Sequence, residues 1–219
     1  MAVSLVCGAG GALGSAVVAA LLARGDRVVA ADLHGETQPG VRHERLDLTA
    51  PDEVASLWER LSADDETPRF LVNLTGGFRG GTVAESDPES LRFMLDLNLG
   101  TAWWSCREGA RRLPEGGAIV NIASRSAVAG GAGAAAYSVA KAGVVRLTEV
   151  LAAELSSRRV RVNAILPSVI DTPANRETMP AEALRKAVAP AEIAAVVSFL
   201  LSDAATALTG AAIPVYGFG

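Results

Sequence analysis

The feature that most constrains this chain is a repeated alternation of short apolar runs with longer segments of helical periodicity. Strands of a parallel sheet are buried on both faces and read as continuous apolar runs, so the alternation predicts a parallel sheet covered by helices on both sides. The length of 219 residues fits one α/β domain over residues 1–219. The predicted strands are Val3–Cys7, Arg27–Ala31, Val41–Leu46, Phe70–Leu74, Ala118–Ala123, Val160–Leu166 and Ala211–Val215.

Helices are predicted between these strands. Thr49 is the expected N-cap of the helix that begins at Pro51, because a threonine hydroxyl accepts hydrogen bonds from first-turn N–H groups. The segment 87–113 is long, and we expect an interruption within it. The predicted helices are Ala12–Ala23, Pro51–Leu61, Asp87–Leu113, Ala136–Ser157 and Pro190–Leu201. Because ligands of open α/β sheets bind beyond the carboxyl ends of the strands, the turns that follow strands are the candidate sites.

Composition and charge exclude several classes of function. Half of the residues are hydrophobic and a fifth are charged, which suits one large core and excludes a disordered chain. A net charge of −4 gives no long-range attraction to nucleic acid, so no nucleic-acid partner is expected. The two cysteines and two histidines lack metal-ligand spacing, and no metal is predicted.

The stretch Met1–Ala23 has no charged side chain, which raises the alternative of a signal peptide or a membrane span. No basic residue precedes the apolar run, and four glycines lie where a spanning helix would need its middle. A buried strand, a turn and a buried helix face explain the stretch better. We therefore expect a cytoplasmic protein with no membrane partner.

The first predicted strand runs into a glycine-rich turn that opens a helix. Glycines let a backbone approach a pyrophosphate closely, and the helix N-terminus presents N–H donors to it. The spacing is close to GxxxGxG, with alanine in the middle position, and a glycine-rich turn without any ligand stays the alternative. The candidate cofactor contacts in this turn are Gly8, Gly10, Gly11, Ala12, Leu13 and Gly14.

Asp32 ends the second predicted strand, 18 residues after Gly14. A carboxylate there accepts hydrogen bonds from both hydroxyls of an adenosine ribose and repels a 2′-phosphate. Leu33 follows it, so no arginine at that position invites the extra phosphate of NADP. The pattern favours NAD over NADP as the cofactor.

The chain has two tyrosines and two lysines, and one of each forms a Tyr-x-x-x-Lys pair, Tyr137 and Lys141. On a helix this spacing puts both side chains on one face. A nearby ammonium and the helix N-terminus stabilise phenolate, so we expect both to lower the pKa of Tyr137 and make it a general acid/base. A packed tyrosine beside a solvated lysine is the alternative. Ser124 follows a strand 13 residues earlier and offers a hydroxyl to a substrate oxygen, with Ser126 as the competing candidate.

In this order, the motifs resemble those of the short-chain dehydrogenase/reductase family over essentially the whole chain, Val3 to Gly217. The resemblance implies a Rossmann-type three-layer sandwich with seven parallel strands and NAD-dependent interconversion of a ketone and a secondary alcohol. It makes Asn98, Ser124, Tyr137 and Lys141 the catalytic set: Tyr137 passes the proton, Ser124 steadies the carbonyl oxygen, Lys141 binds the nicotinamide ribose, and Asn98 completes the proton path. The further cofactor contacts that it implies are Asp47, Leu48, Asn73, Gly76, Pro167, Ile170 and Thr172.

Members of this family are usually dimers or tetramers, so the resemblance also implies a homodimer or homotetramer that acts on a small carbonyl or alcohol substrate. The chain departs from the family pattern at several places, among them Cys7 and Ala12 in the glycine turn and Leu74-Thr75 after the fourth strand. Only 17 residues separate Thr172 from Pro190, so the substrate-loop segment 172–190 is short.

The turn Gly8–Gly14, the loop Gly76–Gly81 and the segment 171–180 are similar to those of quinonoid dihydropteridine reductase and its bacterial relatives. The resembled pteridine enzymes lack the catalytic serine, so the presence of Ser124 favours ordinary carbonyl chemistry and leaves pterin reduction as the second interpretation. Arg79 and Arg176 lie on predicted mouth loops, either to meet an anionic substrate group or simply as solvated side chains. A protein that senses NAD without turnover is a third alternative.

Overall fold

The computed structural model describes residues 1–34 and 38–218, and its centre is a parallel sheet of seven strands. The strand order is β3-β2-β1-β4-β5-β6-β7, so the chain crosses from one half of the sheet to the other between β3 and β4. The bounds are β1 Val3–Cys7, β2 Arg27–Asp32, β3 Val41–Arg45, β4 Phe70–Asn73, β5 Ala118–Ile122, β6 Arg161–Pro167 and β7 Ala212–Val215. The seven strands and their parallel arrangement match the sequence prediction.

The helices lie on both faces of this sheet, and each face has its own apolar core. One core is built by α1 and α8 with residues such as Val17 and Ile193, and the other by α2, α4 and α5 with residues such as Trp58 and Leu151. The bounds are α1 Ala12–Ala23, α2 Pro51–Ala63, α3 Pro88–Leu95, α4 Thr101–Arg112, α5 Ala135–Glu154, α6 Pro173–Thr178, α7 Ala181–Leu184 and α8 Pro190–Leu200. The result is the three-layer sandwich that the alternation predicted.

Local chemistry explains why these helices begin where they do. Pro51 occupies the first turn of α2, followed by the acidic Asp52 and Glu53, which suits the positive end of the helix. The prediction of Thr49 as the N-cap was wrong: Ala50 holds that position, and the Thr49 hydroxyl instead donates to Asp47 Oδ1 at 2.7 Å. The neighbouring aspartate competes successfully for the hydroxyl, and the helix begins without a side-chain cap.

The interruption expected within 87–113 is a π-helical turn, Asp96–Gly100, between α3 and α4. Such a turn inserts one residue into the helix without breaking it and is frequent at functional sites. The segment 172–190, whose role as a substrate loop stays a prediction, contains the short helices α6 and α7. Across residues 1–34 and 38–218, no helix is long and apolar enough to cross a membrane.

Candidate active site

Tyr137 and Lys141 lie in the first turns of α5, and Ser124 follows the carboxyl end of β5. The Lys141 Nζ atom stands 5.9 Å from the centroid of the Tyr137 ring, so the four-residue spacing brings the pair to one face as predicted. Hydrogen bonding from the Ser124 side chain lowers the pKa of the Tyr137 phenol. Ser126, the competing serine, is 3.3 Å from Ser124 between hydroxyl oxygens, and its N–H donates to Ser124 Oγ. The structure therefore gives Ser124 the position beside the tyrosine.

Lys141 is a buried amine. Its side chain is 3% exposed, and Nζ donates to the main-chain oxygen of Ile122, at the end of β5, at 3.0 Å. Burial lowers its pKa from 10.5 to about 8, because the charged form loses its hydration. Among the described residues no carboxylate pairs with it. A lysine held in this way is aimed into the site and not at solvent.

The pKa of Tyr137 moves in the direction opposite to the prediction. Burial raises it above 10, and this effect is larger than the lowering by Ser124. The prediction counted the favourable charges near the phenol and neglected desolvation, which penalises a phenolate in an apolar setting. Tyr137 is thus held in its protonated form at neutral pH.

Asn98 sits in the π-helical turn, 1% exposed, and clamps the loop that follows β4. Its Oδ1 accepts from the Gly77 N–H at 3.1 Å, and its Nδ2 donates to the Gly77 carbonyl at 3.0 Å. A Cβ on Gly76 would lie 2.7 Å from Asn98 Oδ1 and 3.0 Å from Lys141 Nζ, so only glycine fits between them. Asn98, Gly76, Lys141, Tyr137 and Ser124 therefore come together at the carboxyl edge of β4 and β5.

The glycine turn after β1 is shaped by close backbone approaches. Gly8 has φ +87°, and a Cβ there would lie 2.6 Å from the Thr75 nitrogen. A Cβ on Gly10 would lie 2.2 Å from the His34 carbonyl oxygen, and one on Gly14 would lie 2.4 Å from the Ala9 oxygen. Gly11 faces open space, and a Cβ there would meet no heavy atom within 4 Å. The turn is therefore tight on its inner side and open above Gly11.

The helix that follows this turn begins with unused hydrogen-bond donors. Gly11 is the N-cap of α1 and offers no side chain, and no acidic residue stands in the first turn. Ala12 is exposed there, whereas Leu13 packs against the core of α1 and α8. First-turn N–H groups without a side-chain acceptor, at the positive end of a helix, suit an anionic ligand. The Thr75 hydroxyl, buried beside Gly8, also lacks a hydrogen-bond partner among the described residues.

Asp32 is fixed at the end of β2 by two main-chain donors. Its Oδ2 accepts from the Gly10 N–H and its Oδ1 from the His34 N–H, both at 2.9 Å. Each carboxylate oxygen has a second lone pair that stays available for a further donor. The carboxylate thus stands beside the glycine turn, as the sequence predicted, with its orientation set by the backbone.

Asn73 and Leu48, two of the other predicted cofactor contacts, have buried side chains. The Asn73 side chain is buried and donates to Asn121 Oδ1 at 2.8 Å and to Cys106 Sγ at 3.3 Å, inside the core. Leu48 is likewise a core side chain, 5% exposed. Polar partners in the core hold the Asn73 side chain, and burial holds that of Leu48. Contact of these two residues with a cofactor stays a prediction. Asp47 accepts from the N–H and the hydroxyl of Thr49 and lies at the start of the turn that leads into α2.

The residues predicted after β6 lie at the start of the segment that connects β6 to α8. Pro167 ends β6, and Ile170 forms an isolated parallel bridge with Val188. The Thr172 hydroxyl caps α6 by accepting from the Asn175 N–H at 3.2 Å. Arg176 pairs with Asp171 through hydrogen bonds of 2.6 and 2.8 Å, so its charge is already matched.

Sequence reasoning missed the residues that support the site from below. Asn121 lies near the carboxyl end of β5 and joins Asn73 to the Thr148 hydroxyl of α5, with an Nδ2–Oγ1 distance of 3.0 Å. The one signal for it was an asparagine within an otherwise apolar run. The Ile122 carbonyl that holds Lys141 leaves no mark in the sequence, because a main-chain acceptor is common to every residue type. Among the described residues, no group of three or more His, Cys, Asp or Glu side chains is placed to hold a metal ion.

Comparison with known proteins connects this geometry to a set of oxidoreductases. The family model described as enoyl-(acyl carrier protein) reductase matches residues 8–217. The chain is 34% identical to carbonyl reductase family member 4 of Danio rerio, with 91% of each chain covered. It is 32% identical to D-threitol dehydrogenase of Mycolicibacterium smegmatis, over 98% of this chain and 91% of that one. The structure of 4-hydroxyisoleucine dehydrogenase complexed with NADH superposes with a TM-score of 0.89 at 26% identity, covering 100% of this chain and 98% of the other.

Proposed function

The chain belongs to the short-chain dehydrogenase/reductase family of oxidoreductases, and from this premise we propose that it interconverts a ketone and a secondary alcohol with NAD(H) as the hydride carrier. One observation carries the proposal: Ser124, Tyr137 and the buried Lys141 meet at the carboxyl edge of β5. That edge is where an open α/β sheet binds its ligand.

The residues present fit a nicotinamide dinucleotide. The uncapped start of α1 leaves main-chain donors for a pyrophosphate, and Gly8 and Gly10 keep side chains out of the turn beside it. Asp32 would accept hydrogen bonds from the hydroxyls of the adenosine ribose and repel a 2′-phosphate, which supports NAD over NADP. When bound, the nicotinamide supplies a hydride to the carbonyl carbon or accepts one from the alcohol carbon.

The protein's own residues handle the proton and the oxygen. In the reduction direction Tyr137 donates its phenolic proton to the carbonyl oxygen, and Ser124 donates a hydrogen bond to that oxygen as negative charge develops on it. Lys141 holds a positive charge close to the phenol ring, which stabilises the phenolate left behind. Burial raises the pKa of Tyr137, so the phenol carries the proton that this step needs.

Assembly into a homodimer or homotetramer stays a prediction. The small residues Ala140, Gly143 and Ala152 of α5 pack inside the subunit, and a Cβ on Gly143 would lie 2.8 Å from Leu99. These residues serve the subunit's own core. The outer faces of α4 and α5 retain exposed apolar side chains, Trp103 and Val150 among them.

The test is a fluorescence titration with NADH and NADPH, followed by assays against a panel of ketones and a quinonoid pterin. Tyr137→Phe removes the proton donor and keeps the ring, so we expect loss of turnover with unchanged NADH binding. Tyr216→Phe, at the other tyrosine of the chain, is the matched control and should retain full activity. Turnover of the pterin alone would favour a dihydropteridine reductase. Cofactor binding with no turnover of any compound would favour an NAD-sensing protein and refute the proposed reaction.

A further inference from the structure

An exposed aromatic side chain rests on Tyr137. Phe78 is 67% exposed, yet its ring centroid lies 5.3 Å from that of Tyr137, with the two planes at 82° in an edge-to-face arrangement. Such pairs are favourable beyond simple burial, because the positive edge of one ring meets the negative face of the other. One side of Phe78 therefore covers the proton donor, and the rest of its surface faces solvent at the site.

The loop that carries Phe78 is fastened on both sides of it. On one side, Asn98 binds both the N–H and the carbonyl of Gly77. On the other, the Gly81 N–H donates to the Gly133 carbonyl at 2.8 Å, and the Ala135 N–H donates to the Gly81 carbonyl at 3.2 Å. These hydrogen bonds fix the loop that carries Phe78 against the start of α5, where Ala135 lies two residues before Tyr137.

The charged neighbour of Phe78 is directed away from the tyrosine. The Arg79 guanidinium lies 4.6 Å from the centroid of the Phe93 ring on α3, in a cation–π arrangement. The Phe78 ring therefore stands beside Tyr137 as an exposed apolar group. A solvent-facing ring of this size, held in place by its backbone, gains by being covered with another apolar group.

We propose that Phe78 determines substrate specificity, and that the site takes carbonyl compounds with a planar aromatic or conjugated ring next to the carbonyl group. This rests on the proposed function, since the carbonyl oxygen must reach the Tyr137 hydroxyl. With the oxygen there, the substituent beside the carbonyl lies against the ring that packs on Tyr137. A flat ring covers Phe78 by stacking or edge contact, whereas a puckered ring of the same size does so poorly.

The experiment compares acetophenone with cyclohexyl methyl ketone, two methyl ketones that differ in whether the six-membered ring is flat. Wild type is measured beside Phe78→Leu, which stays apolar and loses the ring, and Phe78→Tyr, which keeps it. Phe199→Leu is the matched control, because Phe199 is 45% exposed and lies on α8, on the opposite face of the sheet. Comparing the ratio of kcat/KM for the two ketones between each variant and wild type cancels their different intrinsic reactivity.

We expect Phe78→Leu to lower the acetophenone-to-cyclohexyl ratio about tenfold through KM, equivalent to about 1.4 kcal/mol. Phe78→Tyr and Phe199→Leu should keep the ratio within about twofold of wild type. An unchanged ratio in Phe78→Leu, or an equal loss of kcat for both ketones, overturns the inference and leaves the proposed function standing. Turnover of other ketones but of neither probe also overturns it. If wild type reduces no carbonyl compound at all, the proposed function itself has failed.

Discussion

Replacing Lys141 with methionine should make the protein more stable and inactive. The amine is 3% exposed, and its pKa falls from 10.5 to about 8 on burial. At 1.36 kcal/mol per pKa unit, holding the charged form inside the fold costs about 3 kcal/mol at pH 7. Methionine removes this cost but leaves the Ile122 carbonyl without the lysine donor, which costs about 1 kcal/mol. The unfolding free energy at pH 7 should therefore rise by about 2 kcal/mol.

The sign of the pH dependence provides an independent check. Between about pH 8 and 10.5 the unfolded chain still holds the Lys141 proton and the folded chain has released it, so the wild type gains stability as pH rises through this window. The advantage of Lys141→Met should shrink by about 2 kcal/mol between pH 7 and pH 10. Burial also raises the pKa of the Cys7 and Cys106 thiols to about 12, but both proteins share these groups and the difference cancels them.

The assay is urea unfolding followed by tryptophan fluorescence, with the fully buried Trp58 as a probe. Lys186→Met, at the other lysine of the chain, is the matched control. Lys186 is exposed, so its replacement should change the unfolding free energy by less than about 0.5 kcal/mol. A Lys141→Met protein no more stable than wild type at pH 7, or an advantage that is the same at pH 7 and pH 10, would refute the reasoning from desolvation.

Three further predictions concern the glycine turn, a buried carboxylate and cofactor choice. Gly8→Ala should lower the unfolding free energy by about 1–3 kcal/mol, because φ is +87° and Thr75 blocks the added methyl group. Gly11→Ala is the control and should be neutral, because Gly11 faces open space. Equal effects of the two substitutions in urea unfolding would contradict this. The Glu108 side chain is 2% exposed and pairs with arginines of α4, so Glu108→Gln should lower the unfolding free energy by about 1–3 kcal/mol. Glu59→Gln is the control, because its side chain is 70% exposed, and it should cost less than about 0.5 kcal/mol. Similar losses of stability for the two variants in thermal unfolding would contradict this. Asp32→Ser should lower the ratio of NADH to NADPH affinity about tenfold in fluorescence titrations, and an unchanged ratio would remove the carboxylate from cofactor choice.

The sheet could be predicted because its strands are apolar runs with few competing interpretations. All five residues of β1 and of β5 are buried, and such runs between helical patterns have one common architecture. Helix bounds depend on local competition for hydrogen bonds, which is harder to foresee. The Thr49 hydroxyl donates to Asp47 and does not cap α2. Helix α5 ends at Glu154, three residues before the predicted end at Ser157, and a 3₁₀ turn follows at Ser156–Arg158.

The candidate site could be predicted in membership but not in energetics. Motif spacing brings Tyr137 and Lys141 to one helix face, since helical geometry fixes the relation between positions four apart. The direction in which the pKa of Tyr137 shifts depends on how much water the fold removes from the phenol, and motif spacing carries no information on that. Spacing also does not tell which partner a buried side chain binds: the Asn73 side chain donates to Asn121 Oδ1 in the core.

The excursion between β6 and α8 is closed at its base. The Val188 N–H donates to the Val169 carbonyl at 2.8 Å, and the Asp171 N–H donates to the Val188 carbonyl at 2.9 Å. Because these two hydrogen bonds close the segment near its ends, residues between Asp171 and Val188 can be inserted or deleted while β6 and α8 keep their places. Doubling the length of a flexible loop costs only about 0.6 kcal/mol in closure entropy. Changes in the length of this segment therefore cost little free energy and leave Tyr137 and Lys141 on α5 in place.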